Sequence, residues 1–292
     1  MHLPKVSIVI PSYKAEHFEQ CLRSAIGQTY PNTEILVSDN CPTEAIRDIC
    51  AGFPGVIYQR NSAIRGANVI ASFYSGKGEL IKPLFDDDIL HPFCIERMVA
   101  AMQSGDDVQL VFSASQVIDA RNMRVETRRP FEASGSMTGL AMQRDMTLGM
   151  RNFVGEFSTI MCRRDKLWDI GPKQLFAVGT HDCTDGLADI AAYINLAAGG
   201  SVFYIDEELS YFRRDPVLQS NSNPAANPNF GYCFSDYIDL IPAAHACGAI
   251  TTDELLAMQD RVRGVFESLR GVFPQIPVSY ERYLAYIHTL KE

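Results

Sequence analysis

Residues 6–40 read VSIVIPSYKAEHFEQCLRSAIGQTYPNTEILVSDN, and two apolar periodicities alternate along this stretch. Residues 6–10 form a short β-branched run that ends at Pro11, a pattern typical of a strand buried on both faces. Apolar side chains then recur with the spacing of one helix face, at Phe18, Cys21, Leu22, Ala25 and Ile26. A strand pattern returns at residues 34–38. This order predicts a parallel βαβ unit.

The alternation of strand and helix patterns continues through residue 112. Further strand patterns lie at residues 56–58, 79–85 and 108–112, and further helix patterns at residues 45–50, 68–74 and 95–102. Another helix pattern stops at Gly199-Gly200, and a strand pattern at residues 202–205 follows it. Alternation at this spacing predicts an α/β fold with a mostly parallel sheet flanked by helices.

The chain changes character after residue 214. Residues 215–231 are rich in Asn, Pro and Ser and have no period, which indicates a loop or linker. Helical periodicity then returns, and Thr251 with Glu254 matches a capping box at the start of a helix. We therefore predict a main domain at residues 1–214, a linker at 215–231 and a helical extension at 232–292.

Composition and charge restrict the class of protein. The 292 residues are 47% hydrophobic and 21% charged, which suits one large globular domain or one domain with an appendage. The net charge of −9 argues against a nucleic-acid or anionic-membrane surface, because both bind clustered Lys and Arg. No apolar run approaches the roughly 18–20 residues of a membrane span, and the first residues do not resemble a signal peptide. We expect a cytoplasmic protein, or one peripheral to a membrane.

The cysteines and histidines do not form a recognisable metal motif. Eight cysteines occur without a CxxC pair, which argues against a disulfide framework or a zinc site. His91 and His181 have no second His or Cys at helical ligand spacing. We predict that both histidines are local hydrogen-bonding residues.

Residues 80–92 read LIKPLFDDDILHP and place three carboxylates where a predicted strand ends. Like charges this close repel by ~1–4 kcal/mol per pair, whereas carboxylate oxygens are preferred ligands of Mg²⁺ and Mn²⁺. Ligands gather at the carboxyl ends of strands in open parallel sheets. The residues Pro11-Ser12-Tyr13 and Asp39 follow two other predicted strands at the same edge, and the alternative for Asp39 is the N-cap of a helix. The alternative for the acidic run is a solvated turn in which Asp87 or Asp88 caps the next helix.

Together these motifs resemble the family-two glycosyltransferases of the GT-A fold. Residues 6–40 resemble the family's start, and the segment 60–68 and the run GKGELIKPLFDDDILHP at 76–92 follow in the family's order and spacing. Residues 191–214 resemble the end of the catalytic helix and the strand after it. The resemblance covers roughly residues 4–214. It implies a GT-A-type, Rossmann-like domain with a C-terminal helical appendage.

The resemblance implies a nucleoside-diphosphate-sugar donor, with UDP or dTDP favoured, and a Mn²⁺ or Mg²⁺ ion. It assigns Pro11, Ser12, Tyr13 and Asp39 to the base and ribose, and Arg65 to the nucleotide. Asp86 takes the ribose side, and Asp87 or Asp88 takes the metal. The family often has a further acidic residue where this chain has Phe85, so the exact metal ligand stays open.

The same resemblance implies inversion at the anomeric carbon, with an Asp as general base. Candidates are, in this order, Asp189, Asp185 and Asp182, and Asp185 could instead cap the helix. Arg213 and Arg214 either counter the charge of the diphosphate or form a solvated pair at the domain edge.

The acceptor, whether a glycan, a lipid-linked molecule or a protein, is not identified by any motif. The C-terminal helices could shape the acceptor site, pack on the catalytic domain or make a homo-oligomer contact. Two other functions remain open, a sugar-nucleotide pyrophosphorylase and a non-catalytic nucleotide-binding module.

Overall fold

The structure is a computed structural model that describes residues 2–215, 227 and 229–290. These residues fold into two compact units whose chain segments interleave. The first unit contains the chain up to Met137 together with Val154–Pro172 and Gly200–Asp215. The second contains Thr138–Phe153, Lys173–Gly199 and the described part of Pro216–Glu292. The predicted domain limits at residues 214 and 231 stay a prediction, and most of the predicted linker lies outside the described residues.

The first unit is built on one mixed sheet. Its strands are β1 (Val6–Ser12), β2 (Thr33–Asp39), β3 (Val56–Arg60), β4 (Leu80–Pro83), β5 (Ile89–Leu90), β6 (Val108–Ile118), β7 (Arg124–Arg128), β8 (Gly135–Thr138, which ends at the unit boundary), β9 (Ile160–Arg163) and, after two strands of the second unit, β12 (Ser201–Arg213). Their order is β3-β2-β1-β4-β9-β6-β12-β5, with β7 beside β6 and β8 beside β12. The neighbours from β3 to β4 are parallel, as are β6 and β12, whereas β9 runs antiparallel between β4 and β6. The predicted α/β sheet is therefore confirmed, with an antiparallel insertion that periodicity did not predict.

Helices cover this sheet because each has an apolar face. They are α1 (Phe18–Ile26), α2 (Ala45–Ala51), α3 (Gly66–Ser75), α4 (Cys94–Met102) and α6 (Arg164–Ile170); a 3-10 turn at Phe157–Thr159 precedes β9. The face of α1 predicted from the sequence is buried at Phe18, Cys21, Leu22 and Ala25, while Ile26 is exposed. These side chains share one apolar cluster with the inner residues of β1 and β2.

The second unit is mainly helical. Its elements are α5 (Gly139–Gly149), β10 (Ala177–Val178), β11 (His181–Asp182), α7 (Ala188–Ala197), α8 (Phe230–Ala246), α9 (Thr252–Ala257), α10 (Gln259–Leu269) and α11 (Gln275–Thr289). The C-terminal helices have their own apolar cluster, which includes Ile241, Leu255 and Tyr283. The predicted capping box is confirmed, because Thr251 and Glu254 each bond the other's backbone N–H at the start of α9. Across the described residues, no helix combines the length and apolar character needed to cross a bilayer.

A lysine lies inside the sheet of the first unit. Lys82, in the middle of β4, is 0% exposed, and its ammonium donates hydrogen bonds to the carbonyls of Pro83 (2.6 Å) and Ser158 (2.7 Å). Burial lowers the pKa of this lysine from 10.5 to about 8, and nearby Cys94 and Asp88 oppose that effect. The charged form is therefore costly in the folded state.

We expect this cost to appear as a pH-dependent difference in stability between wild type and Lys82→Met. The unfolded lysine holds its proton up to a higher pH than the folded one, so wild-type stability rises with pH between about 8 and 10.5. Lys82→Met should have a larger free energy of unfolding than wild type at about pH 7.5. This difference between the two proteins should shrink by about 2 kcal/mol by about pH 9.5. Urea unfolding followed by circular dichroism at both pH values measures it. A difference that is independent of pH would contradict the buried charge.

Candidate active site

Strand register brings three predicted polar strand ends to one edge of the sheet. Ser12 at the end of β1 lies opposite Asp39 at the end of β2, and Val9 of β1 lies opposite Pro83, the last residue of β4. Asp86 follows three residues after that strand end. Parallel neighbours end at the same edge, which explains why residues far apart in sequence meet there.

We define Asp86–Asp88 as the acidic turn. Asp86 connects this turn to the loop after β1 by hydrogen bonds. Its Oδ2 accepts hydrogen bonds from the backbone N–H groups of Tyr13 (2.6 Å) and Lys14 (2.7 Å). The side chain is almost fully buried. Burial first, and then the charge of Asp87, raises the pKa of Asp86 to about 6, against the lowering effect of the two N–H donors. The fold thus holds a carboxylate in a setting that disfavours its charge.

Asp88 has one satisfied and one unsatisfied oxygen. Its Oδ1 accepts from the backbone N–H of Arg213 at 3.0 Å. Its Oδ2 is buried and forms no hydrogen bond of ordinary geometry with the residues that the structure describes, although the Ser158 hydroxyl lies close to this carboxylate. Burial, followed by the charge of Asp87, raises the pKa of Asp88 well above its ordinary value, against the lowering effect of the Ser158 hydroxyl and the Arg213 N–H. A buried unpaired carboxylate oxygen costs free energy unless a ligand or proton occupies it.

Asp87 is the most accessible carboxylate of the acidic turn. Its side chain is 17% exposed, and its Oδ2 lies 3.6 Å from Nζ of Lys14. The acidic turn therefore contains three adjacent carboxylates, one of which has an unpaired oxygen. Burial and like charge raise the pKa values of Asp86 and Asp88. Oxygen ligands with excess negative charge fit a hard divalent cation such as Mn²⁺ or Mg²⁺. The alternative of a solvated turn does not describe Asp86 or Asp88, because both are buried.

Asp39 is a buried acceptor rather than a helix cap, since α2 starts only at Ala45. Its Oδ1 accepts from the N–H of Cys41, and its Oδ2 accepts from the hydroxyl of Tyr58 and from Arg60, each at 2.7 Å. Arg60 is 38% exposed and forms the outer part of this group. No sequence motif assigned a role to Tyr58 or Arg60. The signal was their position in β3, the strand beside β2, where Arg60 is paired with Asp39 and Tyr58 with Val37.

The remaining predicted nucleotide residues differ in accessibility. Pro11 and Ser12 are buried, and the Ser12 hydroxyl donates back to the carbonyl of Ile10, whereas Tyr13 is 57% exposed. Arg65 is exposed and caps the start of α3 with φ 49° and ψ −128°, a conformation that is costly for a residue with a side chain. Strain of this kind concentrates at functional sites, which supports a role for Arg65 as a hypothesis.

Arg213 and Arg214 have different environments. Arg213 is 2% exposed, and its guanidinium donates to the carbonyls of Asp87 and Asp119 (2.8 Å each) and to Oε1 of Gln20 (3.1 Å). Arg213 therefore supports the backbone of the acidic turn, and the alternative of a solvated pair is wrong for this residue. Arg214 is exposed, and its Nη2 lies 3.4 Å from Oε2 of Glu126. A contact of either residue with a diphosphate stays a prediction.

The three candidate bases lie in the second unit and have unlike surroundings. Asp189 lies in the first turn of α7, where its Oδ2 accepts from Nδ2 of Asn152 at 2.7 Å and its Oδ1 from the N–H of Ile190 at 2.8 Å. Asp182 is exposed and accepts from both the N–H and the hydroxyl of Thr184. Asp185 is exposed too, and the helix cap is Leu187, so the alternative of Asp185 as N-cap is wrong.

Comparison with known proteins extends this description. Residues 7–171 match the family described as glycosyl transferase family 2. An uncharacterized glycosyltransferase of Nostoc is 26% identical over 130 residues, 42% of this chain and 40% of that protein. The putative glycosyltransferase EpsH of Bacillus subtilis is 30% identical over 118 residues, 38% and 33% of the two chains. The match thus spans less than half of either relative.

Solved structures resemble the chain over almost its whole length. Staphylococcus aureus TarS 1–349 in complex with UDP-GlcNAc aligns with a TM-score of 0.61 and 14% identity, covering 98% of this chain and 90% of that one. The same protein in complex with UDP aligns with a TM-score of 0.56 and 13% identity, covering 98% and 89%. At these identities the likeness shows the fold alone, and it confirms the predicted GT-A-type architecture.

Proposed function

The chain belongs to glycosyl transferase family 2, and on that premise we propose that it transfers a sugar from a nucleoside-diphosphate donor to an acceptor hydroxyl. The observation that carries the proposal is the acidic turn, where a buried oxygen of Asp88 lacks a partner among the described residues beside two further carboxylates. A donor diphosphate brings negative charge to a protein whose net charge is already −9. A cation held by the acidic turn would offset the negative charge of both the diphosphate and the protein.

We assign the base of the nucleotide to Asp39 and favour UDP or dTDP. An ionised carboxylate offers about four acceptor positions, and the N–H of Cys41, the hydroxyl of Tyr58 and Arg60 occupy three of those of Asp39. The ring N–H of uracil or thymine suits the remaining position. Because Arg60 forms the outer part of this group, a base that reaches Asp39 has to displace or share that guanidinium. The binding of UDP-GlcNAc and UDP by TarS is consistent with a uridine donor.

The acidic turn divides into two roles in this proposal. Asp86 keeps the Tyr13-Lys14 backbone in place beside the ribose, through hydrogen bonds of 2.6 and 2.7 Å. Asp87 and Asp88 would hold the cation, and Arg213 fixes the turn by donating to the backbone carbonyl of Asp87 and to Oδ1 of Asp88. When bound, Mn²⁺ or Mg²⁺ supplies Lewis-acid stabilisation of the diphosphate leaving group.

We assign the general base to Asp189 and the stereochemical outcome to inversion. The acceptor oxygen attacks the anomeric carbon while its proton passes to Asp189, and the bond from that carbon to the diphosphate oxygen breaks with its electron pair on the oxygen. Asn152 and the N–H of Ile190 orient the carboxylate before the reaction.

A nucleotide screen with a donor assay tests the function. We expect UDP or dTDP to raise the melting temperature when Mn²⁺ is present, with a stabilisation of about 2.7 kcal/mol at a hundredfold excess over Kd. The matching UDP- or dTDP-sugars should be hydrolysed slowly in the absence of acceptor, and faster with Mn²⁺ than with EDTA. Nucleotide binding without hydrolysis of any donor would favour a non-catalytic binding module. If GDP, CDP, UDP and dTDP all fail to bind, the proposal is wrong.

A further inference from the structure

A cluster of one imidazole, one thiol and one carboxylate lies within the second unit. One ring nitrogen of His181, Sγ of Cys183 and a carboxylate oxygen of Asp236 all lie within 4.8 Å of one another. His181 lies in β11, and Cys183 follows directly after that strand, where its backbone N–H donates to the carbonyl of Phe176 at 2.9 Å. Asp236 comes from α8. The three ligand types thus converge from two separate segments of the chain.

The surrounding backbone fixes this cluster in place. Asp236 is 1% exposed and Cys183 is 0% exposed. Oδ1 of Asp236 lies 2.9 Å from Nε2 of His181, and its Oδ2 accepts from the N–H of Leu187 at 2.8 Å. Gly186 lies so close to α8 that an added Cβ would collide with Oδ2 of Asp236. The segment from residue 181 to residue 187 is therefore packed directly on α8.

We propose that His181, Cys183 and Asp236 form a binding site for a transition-metal ion of the Zn²⁺ type, separate from the Mn²⁺ or Mg²⁺ ion of the acidic turn. Nitrogen, sulfur and carboxylate oxygen together are typical Zn²⁺ ligands, whereas Mg²⁺ prefers oxygen alone. Bonds of about 2.0–2.3 Å to a tetrahedral ion place ligand atoms about 3.3–3.7 Å apart. Atoms within 4.8 Å of one another reach that arrangement through side-chain shifts of about an ångström or less.

Neighbouring charges suit a divalent ion. Oδ2 of Asp239 lies 3.8 Å from Nε2 of His181. The carboxylate of Asp239 accepts hydrogen bonds from the guanidinium of Arg282 (2.7 and 2.9 Å) and from the hydroxyl of Ser279 (2.7 Å). Burial and the surrounding carboxylates raise the pKa of the Cys183 thiol, so a bound ion has to displace the thiol proton to solvent. The two carboxylates and the thiolate then carry three negative charges, which a divalent ion and Arg282 balance. Because Asp239 is already bonded to Arg282 and Ser279, we leave the fourth ligand position to a solvent molecule.

The consequence of the ion is structural. It would connect β11 to α8 and fix the segment that leads into α7, whose first turn contains Asp189. The sequence did not predict the site because Asp236 lies 55 residues beyond His181, and no local motif connects them. The rival explanation is a hydrogen-bonded pair of His181 and Asp236 with a bystander thiol.

Cobalt titration of the metal-stripped full chain separates these explanations. Co²⁺ bound by a thiolate in a tetrahedral site gives a sulfur-to-metal charge-transfer band and intense visible bands, and we expect both to saturate at one equivalent. Added Zn²⁺ should bleach them and should raise the melting temperature. The variant Asp87→Asn, changed in the acidic turn, should keep the thiolate band. A wild-type chain that shows no thiolate band overturns the site, whatever the variants do.

Two cysteine variants complete the test. Cys183→Ser should lose the charge-transfer band and lower the affinity for Zn²⁺ by at least about 100-fold. Cys247→Ser is the matched control, because Cys247 is an exposed thiol of the same unit, and it should retain the wild-type spectrum. Equal loss in both variants, or none in Cys183→Ser, would contradict the assignment. Since the readout is metal binding without donor or acceptor, its result is independent of the glycosyltransferase proposal.

Discussion

Asp87→Asn is expected to eliminate the Mn²⁺-dependent part of nucleotide binding and to lower the rate of sugar transfer about 10³-fold. The substitution keeps the shape of the side chain and removes one negative charge from the acidic turn. A cation that stabilises a leaving diphosphate contributes several kcal/mol, and about 4 kcal/mol corresponds to about 10³-fold in rate. The initial rate of transfer or of donor hydrolysis, measured across a range of Mn²⁺ concentrations, gives both the affinity for the ion and the maximal rate.

The same variant should fold normally, which separates loss of the site from loss of the protein. The charge of Asp87 raises the pKa values of both Asp86 and Asp88, so it repels two buried neighbours. Removing it relieves that repulsion, and the melting temperature without ligand should stay equal or rise. Asp106→Asn is the matched control, since Asp106 is an exposed carboxylate in the loop before β6. A variant at Asp87 that keeps the full Mn²⁺ response would remove this residue from the metal site.

Much of the first unit could be predicted because its signals are local. The runs at residues 6–10 and 34–38 and the apolar helix face between them are visible within one βαβ unit, and the structure places β1, α1 and β2 there. The antiparallel position of β9 between β4 and β6 could not be predicted in this way. Strand order depends on pairing between distant segments, which periodicity does not report.

The candidate site shows the same division between local and distant information. The acidic turn and Asp39 were found because each follows a strand pattern directly. Arg213 was not recognised as a support of the acidic turn, since its backbone N–H reaches Asp88 across 125 residues. The cluster of His181, Cys183 and Asp236 was missed for the same reason. Burial adds a further limit, because a run of three aspartates does not reveal which carboxylate oxygen lacks a partner.

Asp189→Asn is expected to lower the rate of transfer about 10³-fold while leaving donor affinity within about twofold of wild type, because a general base contributes about 10²–10⁴-fold. The amide cannot take the acceptor proton, yet it can still lie beside Asn152 and the N–H of Ile190. Asp182→Asn and Asp185→Asn are matched controls in the same segment, and both carboxylates are exposed. Transfer rates with saturating donor, paired with the melting-temperature shift caused by the nucleotide, distinguish loss of chemistry from loss of binding.

The outcome also ranks the three carboxylates by function. If Asp185→Asn or Asp182→Asn loses transfer instead and Asp189→Asn keeps it, the base lies in the exposed turn and the contact with Asn152 is structural. Asn152→Ala then provides an independent reading, because a residue that only orients Asp189 should lower kcat by about tenfold and leave KM for the donor unchanged. A loss of kcat in Asp189→Asn with a smaller loss in Asn152→Ala is the pattern expected of a base and the residue that positions it.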